Sequence, residues 1–363
     1  MERYADELGA ALRHSDRFAI RETTIGPSRW ARTRPLHSLD RRLTRFRRYP
    51  RHLAAQRADL FHITDHSYAD LAAALPLDRT IVTCHDLVLL RAENGAIGFR
   101  GPRTSTALFR SRVRFLADVA HVACISEQTR SDVIELLEVP PERTSVIPNG
   151  IDPRFEPAEP IDRRTWRRGL VRDDEQLLLH VSTGAIYKNV EGTLHILARL
   201  RAAGRPAVLV RAGRPLDAAQ QRLAASLGLG DAVRDLGRVS DARLIELYNA
   251  ADLLLFPSHY EGFGWPPLEA MACGTPVVIS EAPALLEVCG DAALHAPAAD
   301  SDALAAAAAR LLDDSALRAD LIDAGRRRAA GYTWQATAQA FEALYTRLLG
   351  LDPRIEEART AER

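Results

Sequence analysis

Short apolar runs recur along the chain, separated by polar stretches whose apolar residues return at helical spacing. Residues 59–64 (DLFHIT), 80–84 (TIVTC), 121–125, 144–148, 176–182, 207–210, 252–256 and 276–279 are too short for helices, so each reads as a buried strand, with 294–296 as a minor one. Helices are expected over 2–13, 129–137, 189–200, 266–272 and 334–349, with alanine-rich helices across 301–330. Ser126 and Ser240 stand where N-caps belong, and Glu246 is too far from Ser240 to close a capping box. Pro266 and Pro267 suit a first helical turn, where a missing N–H costs little, and Gly274 suits its stop. Strand and helix alternate in both halves. That pattern predicts an α/β chain of two doubly wound, Rossmann-like domains facing a cleft. The proline- and charge-rich stretch 153–175 reads as a linker, Asn149-Gly150 as a turn, residues 95–115 as a mobile loop followed by a helix, and 352–363 as a charged tail.

Composition changes this picture in only a few places. At 363 residues, 47% hydrophobic and 26% charged, the chain has an ordinary globular make-up and the length for two full cores. The formal net charge is zero, so bulk charge points to no nucleic-acid partner. Cys84, Cys124, Cys273 and Cys289 have no metal-like spacing and read as reduced, packed side chains. No apolar run reaches membrane-spanning length and no leader pattern is visible, which makes the cytoplasm the expected location. Locally the charge is uneven. Arg29, Arg32, Arg34, Arg41, Arg42, Arg45, Arg47, Arg48, Arg51 and Arg57 face one acid, Asp40, with Trp30, Phe46 and Tyr49 interleaved. This stretch, 28–57, reads either as a surface for the anionic inner face of a membrane or as a solvated helix face. Arginine also supplies every cationic side chain except Lys188. A lone lysine in such a chain marks a place that needs a compact point charge, unless it survives by chance.

The candidate chemistry concentrates in residues 251–280, ADLLLFPSHYEGFGWPPLEAMACGTPVVIS. A strand, a loop carrying Glu261, Gly262, Phe263 and Gly264, a helix from about Trp265 and a second strand follow one another. Glu269 lies one turn inside the helix. The helix start offers backbone N–H groups and a positive dipole end to a phosphate, the glycines admit a ligand closely, and two carboxylates can accept hydrogen bonds from sugar or ribose hydroxyls. His85 follows a strand directly, at the end where open α/β sheets bind ligands. A dinucleotide oxidoreductase is disfavoured because Gly262-Phe263-Gly264 lacks the third glycine of its fingerprint. A metal-dependent D-x-D transferase is disfavoured because Asp173-Asp174 and Asp313-Asp314 are adjacent pairs in polar stretches; no metal site is expected.

SHYEGFGWPPLEAMACGTPVV resembles the E-x7-E signature of retaining GT-B glycosyltransferases of the family 4 type, also called glycosyl transferases group 1. The resemblance implies that Glu261 lies close to a donor sugar, that Glu269 holds the nucleotide ribose, and that backbone N–H groups of Phe263, Gly264 and Trp265 point at sugar and diphosphate. TCHDL resembles the family's His-Asp motif, which puts His85 on the sugar and makes it, with Glu261, a candidate catalytic residue. STGAIYKN resembles its Lys-Asn loop, which puts Gly184 and Lys188 at the diphosphate. DLGRV resembles the segment beside the base, which puts Gly237 and Val239 there. The family often carries an arginine five or six residues before the lysine; Ser182 and Thr183 stand in those places, and Arg211 and Arg214 are the candidates to replace it. IPNGID resembles the interdomain crossing. The implied domains are 1–152, on the acceptor side, and 153–333, binding the nucleotide sugar, with helix 334–349 crossing back to the first. MERYADELGAAL resembles the helix that follows the family's first strand, so that strand is expected to be missing here. The implied activity is metal-independent, cofactor-free transfer of a hexose, mannose among the candidates, with retention, from a nucleotide sugar to a glycan or lipid-linked hydroxyl. The alternative is a GT-B scaffold that has lost catalysis and serves as a binding subunit.

Overall fold

The computed structural model describes residues 2–24, 43–93, 95, 97 and 103–351. Residues 28–42 of the basic stretch, Gly98, Phe99 and Gly101 of the 95–115 loop, and the tail 352–363 lie outside them. The described chain divides into two compact units. One takes the residues up to Leu90, those from 103 to Gly150, and those from Trp334 onward. The other takes 91–93, 95, 97 and Ile151–Thr333.

The first unit holds a parallel sheet of four strands among the described residues, in the order β1 (Phe61–Ile63), β2 (Thr80–Cys84), β3 (His121–Cys124), β4 (Thr144–Val146). Register runs through Phe61 opposite Thr80, Val82 opposite Val122, and Ala123 opposite Ser145. β2 and β3 are buried along their whole length, as parallel strands covered on both faces must be. The helix Glu2–Leu12 buries Tyr4, Leu8 and Leu12, an i, i+4, i+8 stripe. It packs against the helix Trp334–Leu348, with the Tyr4 and Trp334 rings 5.6 Å apart at 66°. Ser126 caps the helix Glu127–Leu137 by accepting from the Thr129 N–H at 3.1 Å, as its position in the sequence indicated.

The second unit holds a six-stranded parallel sheet: β5 (Gln176–Ser182), β6 (Ala207–Gly213), β7 (Val233–Asp235), β8 (Leu253–Phe256), β9 (Val277–Ser280) and β10 (Leu294–Ala296), ordered β10-β9-β8-β5-β6-β7. Strand order reverses between β5 and β8, so the loops leaving their carboxyl ends open on a topological switch point, where doubly wound sheets bind ligands. Leu178, Leu209, Leu253 and Leu255 of the strands pack with Leu194, Leu197 and Leu200 on one helix and Leu304 and Leu311 on another. Ser240 caps Asp241–Ala250, accepting from Arg243 N–H at 3.2 Å.

Several features depart from the sequence reading, three of them in the second unit. β7 was not expected, because a three-residue edge strand of sequence VRD carries no apolar run. β6 continues to Gly213, three residues past its expected end. The supposed linker 153–175 contains a helix, Pro160–Arg167, that buries no side chain. It is held by charge instead: Arg163 Nε donates to Asn249 O at 2.7 Å and Arg167 Nη1 to Ala250 O at 3.0 Å, the last carbonyls of Asp241–Ala250, and Arg167 pairs with Asp252 at 2.8 Å. All four cysteines are buried and free.

Candidate functional site

Two loops meet at the switch point of the second unit. The first, Thr183–Lys188, leaves β5 and passes Gly184 at φ +71° and a tight turn, Ile186–Lys188, before the helix Val190–Ala202. Asn189 fixes that junction. It takes the left-handed conformation (φ 53°), its Oδ1 accepts from Gly192 N–H at 3.0 Å, and its Nδ2 donates to Pro257 O at 2.9 Å and Ala298 O at 2.8 Å. The second loop, Pro257–Gly264, leaves β8. Its His259 N–H donates to Tyr187 O at 2.7 Å, so the two loops are stitched together through backbone as well.

This stitching places Lys188 against Glu261. Lys188 Nζ donates to both carboxylate oxygens, at 2.8 and 2.7 Å, with the side chains 14% and 7% exposed. The ammonium also lies 5.1 Å from the Tyr187 ring centroid and 5.6 Å from that of Phe256. A pair this buried offsets its desolvation only with good geometry, which two short bonds from one nitrogen provide. The single lysine and the first glutamate of the E-x7-E stretch, 73 residues apart in sequence, are therefore direct partners.

Gly264, at φ +131°, turns the chain into the helix Trp265–Ala272. A side chain there is strained whatever the space, and its Cβ would come within 2.9 Å of Leu285 Cδ2. Glu269, on the helix as expected, is buried and accepts from Tyr248 Oη–H at 2.9 Å. Phe263 is buried edge-on against Tyr332, ring centroids 5.7 Å apart, while Gly262 and Trp265 are half-buried. Gly237, at φ +66°, accepts at its carbonyl from Gly213 N–H at 2.8 Å, and Val239 is half-buried two residues on.

Beneath the lysine loop runs a buried relay that the sequence did not disclose. His180 Nδ1–H donates to Leu255 O at 3.1 Å, which leaves Nε2 to accept from Ser182 Oγ–H at 2.9 Å; Ser182 Oγ in turn accepts weakly from Gly184 N–H at 3.4 Å. Burial, then the neighbouring Arg211 and Lys188 charges, push the His180 pKa down to about 3, so the ring is neutral. Of the two candidate replacement arginines, Arg211 is 1% exposed and committed to Asp235 Oδ2 at 3.0 Å; burial lowers its pKa, and the carboxylate partner opposes this. It is an internal strut. Arg214 is exposed.

His85 belongs to the first unit, at the carboxyl end of β2 as expected. Its Nε2–H donates to Thr64 O at 2.8 Å, its backbone N–H donates to His66 Nδ1 at 3.1 Å, and its ring stands edge-on to Tyr4 at 4.6 Å. Burial and the adjacent His66 push its pKa down to about 4, so it is a neutral imidazole of defined tautomer. Among the described residues no three His, Cys, Asp or Glu groups are placed to hold a metal ion. Arg45, counted with the lipid-facing arginines, is instead paired to Asp70 at 2.7 Å and laid over the Tyr68 ring at 4.5 Å. Phe46 beside it is 58% exposed, and Arg47 and Arg51 are exposed. No helix of the described residues is long and apolar enough to cross a membrane.

Two parallel α/β units, one of them gathering a lysine loop and a glutamate-bearing helix at its switch point, have the architecture of GT-B proteins. A solved sucrose-phosphate synthase from Thermosynechococcus elongatus superposes with a TM-score of 0.75, covering 96% of this chain and 93% of that one at 23% identity. Anabaena HepE, solved with UDP and glucose, superposes with a TM-score of 0.71 over 84% and 83% at 20% identity. Residues 2–155 match the model of Glycosyltransferase Family 4 and residues 162–328 that of Glycosyl transferases group 1. The chain belongs to the group 1 glycosyltransferases of the family 4 type. A curated relative, the MMP alpha-(1->4)-mannosyltransferase of Mycolicibacterium hassiacum, is 34% identical over 241 residues, 65% of this chain and 56% of that relative's length.

Proposed function

We propose that this chain transfers a hexose, mannose first among the candidates, from a nucleoside diphosphate sugar to a hydroxyl of a glycan or lipid-linked acceptor, with retention and without a metal. The observation that carries this reading is the Lys188–Glu261 pair at the switch point, beside the helix that bears Glu269. Breaking the glycosidic bond leaves negative charge on the diphosphate. Lys188 and the start of Trp265–Ala272 stabilise that charge where it develops, and fixed dipoles and charges aimed in this way supply much of the rate enhancement in such reactions. Glu269, already oriented by Tyr248, takes the ribose hydroxyls, Glu261 faces the sugar, and Gly237 and Val239 border the base. The acceptor hydroxyl then attacks the face the phosphate leaves, and the departing phosphate takes its proton. The mannosyltransferase relative and the HepE complex support the sugar class and the nucleotide class respectively.

Incubation of the purified chain with GDP-mannose, UDP-glucose and other donors, followed by proton NMR, tests this. Release or transfer of an α-sugar from an α-linked donor is expected. A chain that binds nucleotide yet neither transfers nor hydrolyses any donor is a binding scaffold instead. We further place the protein at the inner face of the membrane, docked through exposed Phe46, Arg47 and Arg51 on anionic lipid at about 1 kcal/mol per well-placed arginine. Co-sedimentation with anionic vesicles that falls at high salt and in Phe46→Ser/Arg47→Gln/Arg51→Gln supports docking; equal recovery with neutral vesicles contradicts it.

A further inference from the structure

We infer that the first unit carries a discrete niche for one phosphate of a lipid headgroup, formed by Arg112 beside the Arg45–Asp70 pair and Tyr68, and rimmed by Phe46 and Leu108. The inference deepens the membrane docking proposed above, from diffuse attraction to recognition of a single headgroup, and does not depend on the donor site. It starts from an unmatched charge. Two arginines among the described residues bury Nε without an acceptor, Arg112 and Arg211. Arg211 has its Asp235 bond. Arg112 has no substitute: among the described residues its guanidinium makes no hydrogen bond or ion pair. It is half-buried, unlike Arg47 and Arg51, which are exposed.

The surroundings of Arg112 add positive charge instead of a partner. Its helix, Arg103–Val113, packs on the helical segment His66–Ala74, and Arg45 reaches the same segment from Thr44–Arg48. Arg45 takes both oxygens of Asp70, Nη2 to Oδ1 at 2.7 Å and Nε to Oδ2 at 3.4 Å, and lies over the Tyr68 ring. Burial lowers the Arg112 pKa, the Arg45 charge lowers it further, and Asp70 and Tyr68 oppose this, so the four groups lie within electrostatic reach. Two guanidinium charges thus face one carboxylate, which Arg45 already occupies. A planar guanidinium grips phosphate oxygens bidentately, and the Tyr68 hydroxyl is a further donor. The rim decides what carries the phosphate. Leu108, one helical turn before Arg112 on the same face, is 51% exposed, Phe46 beside Arg45 is 58% exposed, and Tyr68 is 42% exposed. Free phosphate leaves these side chains in water, whereas a phosphate bearing acyl chains covers them.

Calorimetric titration with dihexanoylphosphatidic acid below its micelle concentration tests the assignment, with glycerol 3-phosphate as the headgroup without chains. Saturable binding of the lipid at one site per chain is expected. Arg112→Gln should weaken it about tenfold, or about 1.4 kcal/mol. Leu108→Ser should weaken the lipid about threefold and leave glycerol 3-phosphate unchanged. Arg47→Gln/Arg51→Gln, which removes two exposed charges, should leave the soluble lipid unchanged while lowering recovery on anionic vesicles. Undiminished lipid affinity in Arg112→Gln, or an equal loss in Arg47→Gln/Arg51→Gln, overturns the niche, and recovery on anionic vesicles then leaves the docking standing. Equal wild-type affinity for the lipid and for glycerol 3-phosphate means that the niche takes free phosphate, which overturns the lipid assignment. Equal recovery on neutral and anionic vesicles overturns the docking alone.

Discussion

Lys188 and Glu261 hold each other so closely that neither can be altered without changing what the other offers a ligand. A diphosphate approaching Lys188 meets an ammonium already neutralised by Glu261 at 2.7 Å. Glu261→Gln should therefore tighten nucleoside diphosphate binding, by about tenfold if the freed charge is worth about 1.4 kcal/mol, while donor turnover falls. Calorimetry beside a turnover assay checks both signs; weaker diphosphate binding would show that Glu261 contacts the nucleotide itself. Lys188→Arg is not conservative, because a planar fork cannot fit between the Tyr187 and Phe256 rings and keep both carboxylate bonds from one nitrogen. Glu269→Ala removes an acceptor for ribose hydroxyls and should cost about 1.5–3 kcal/mol of nucleotide affinity. Tyr248→Phe frees the same carboxylate from its phenol and should cost less, about 1 kcal/mol. Equal affinities in all three proteins would remove Glu269 from the ribose. At this scale the sequence was informative about identity and silent about partnership. A lone lysine and two glutamates eight apart stand out in a linear reading, but the Lys188–Glu261 bond and the Tyr248–Glu269 bond join residues whose spacing carries no signal.

The elements at the switch point are held by polar seams beneath an apolar sheet. Ser182 ends β5, accepts from Gly184 N–H, and donates to a buried neutral His180. Ser182→Ala leaves that Nε2 unsatisfied and should cost about 1–3 kcal/mol of stability, with a rise in donor KM exceeding the fall in kcat as the loop loosens. Ser182→Thr keeps the hydroxyl and should restore KM; a KM indifferent to either change would separate the relay from the loop. Strands such as 176–182 and 276–279 could be read because parallel strands covered on both faces are continuous apolar runs, as in LLLHVS and VVIS. β7 and the helix Pro160–Arg167 could not. Their stability comes from an edge pairing and from arginines on helix-end carbonyls, and neither leaves an apolar pattern. Asn189 was misplaced by one position: the sequence reading began the helix at it, whereas it caps the helix, and its two amide bonds to Pro257 and Ala298 leave no local signal.

Across the whole molecule, the two units share a vulnerability to acid. His85 in the first and His180 in the second are held neutral, at about 4 and about 3, against 6.5 in an unfolded chain. The folded pKa lies below the unfolded one. Their contribution is complete above pH 6.5 and is lost as pH falls, because the unfolded state takes up protons that the fold refuses. Each histidine costs about 1.4 kcal/mol per pH unit between 6.5 and its folded value. His180→Gln should make the decline of unfolding free energy between pH 6 and 4.5 shallower by about that amount, whatever it does to stability at pH 7; an unchanged slope would mean His180 protonates freely in the fold. The two-unit plan was legible in the alternation of strands and helices, and the strand reversal that makes the second unit a binding platform follows from where β8 inserts beside β5, which no local pattern encodes. The central claim is that this platform binds a nucleoside diphosphate sugar. Thermal unfolding of the wild-type chain and of Glu269→Ala across a panel of such sugars tests it directly. A donor at about 100 times its Kd should add about 2.7 kcal/mol and raise the wild-type melting temperature by several degrees, with a clearly smaller rise in Glu269→Ala. No shift with any donor, or equal shifts in the two proteins, would contradict the account.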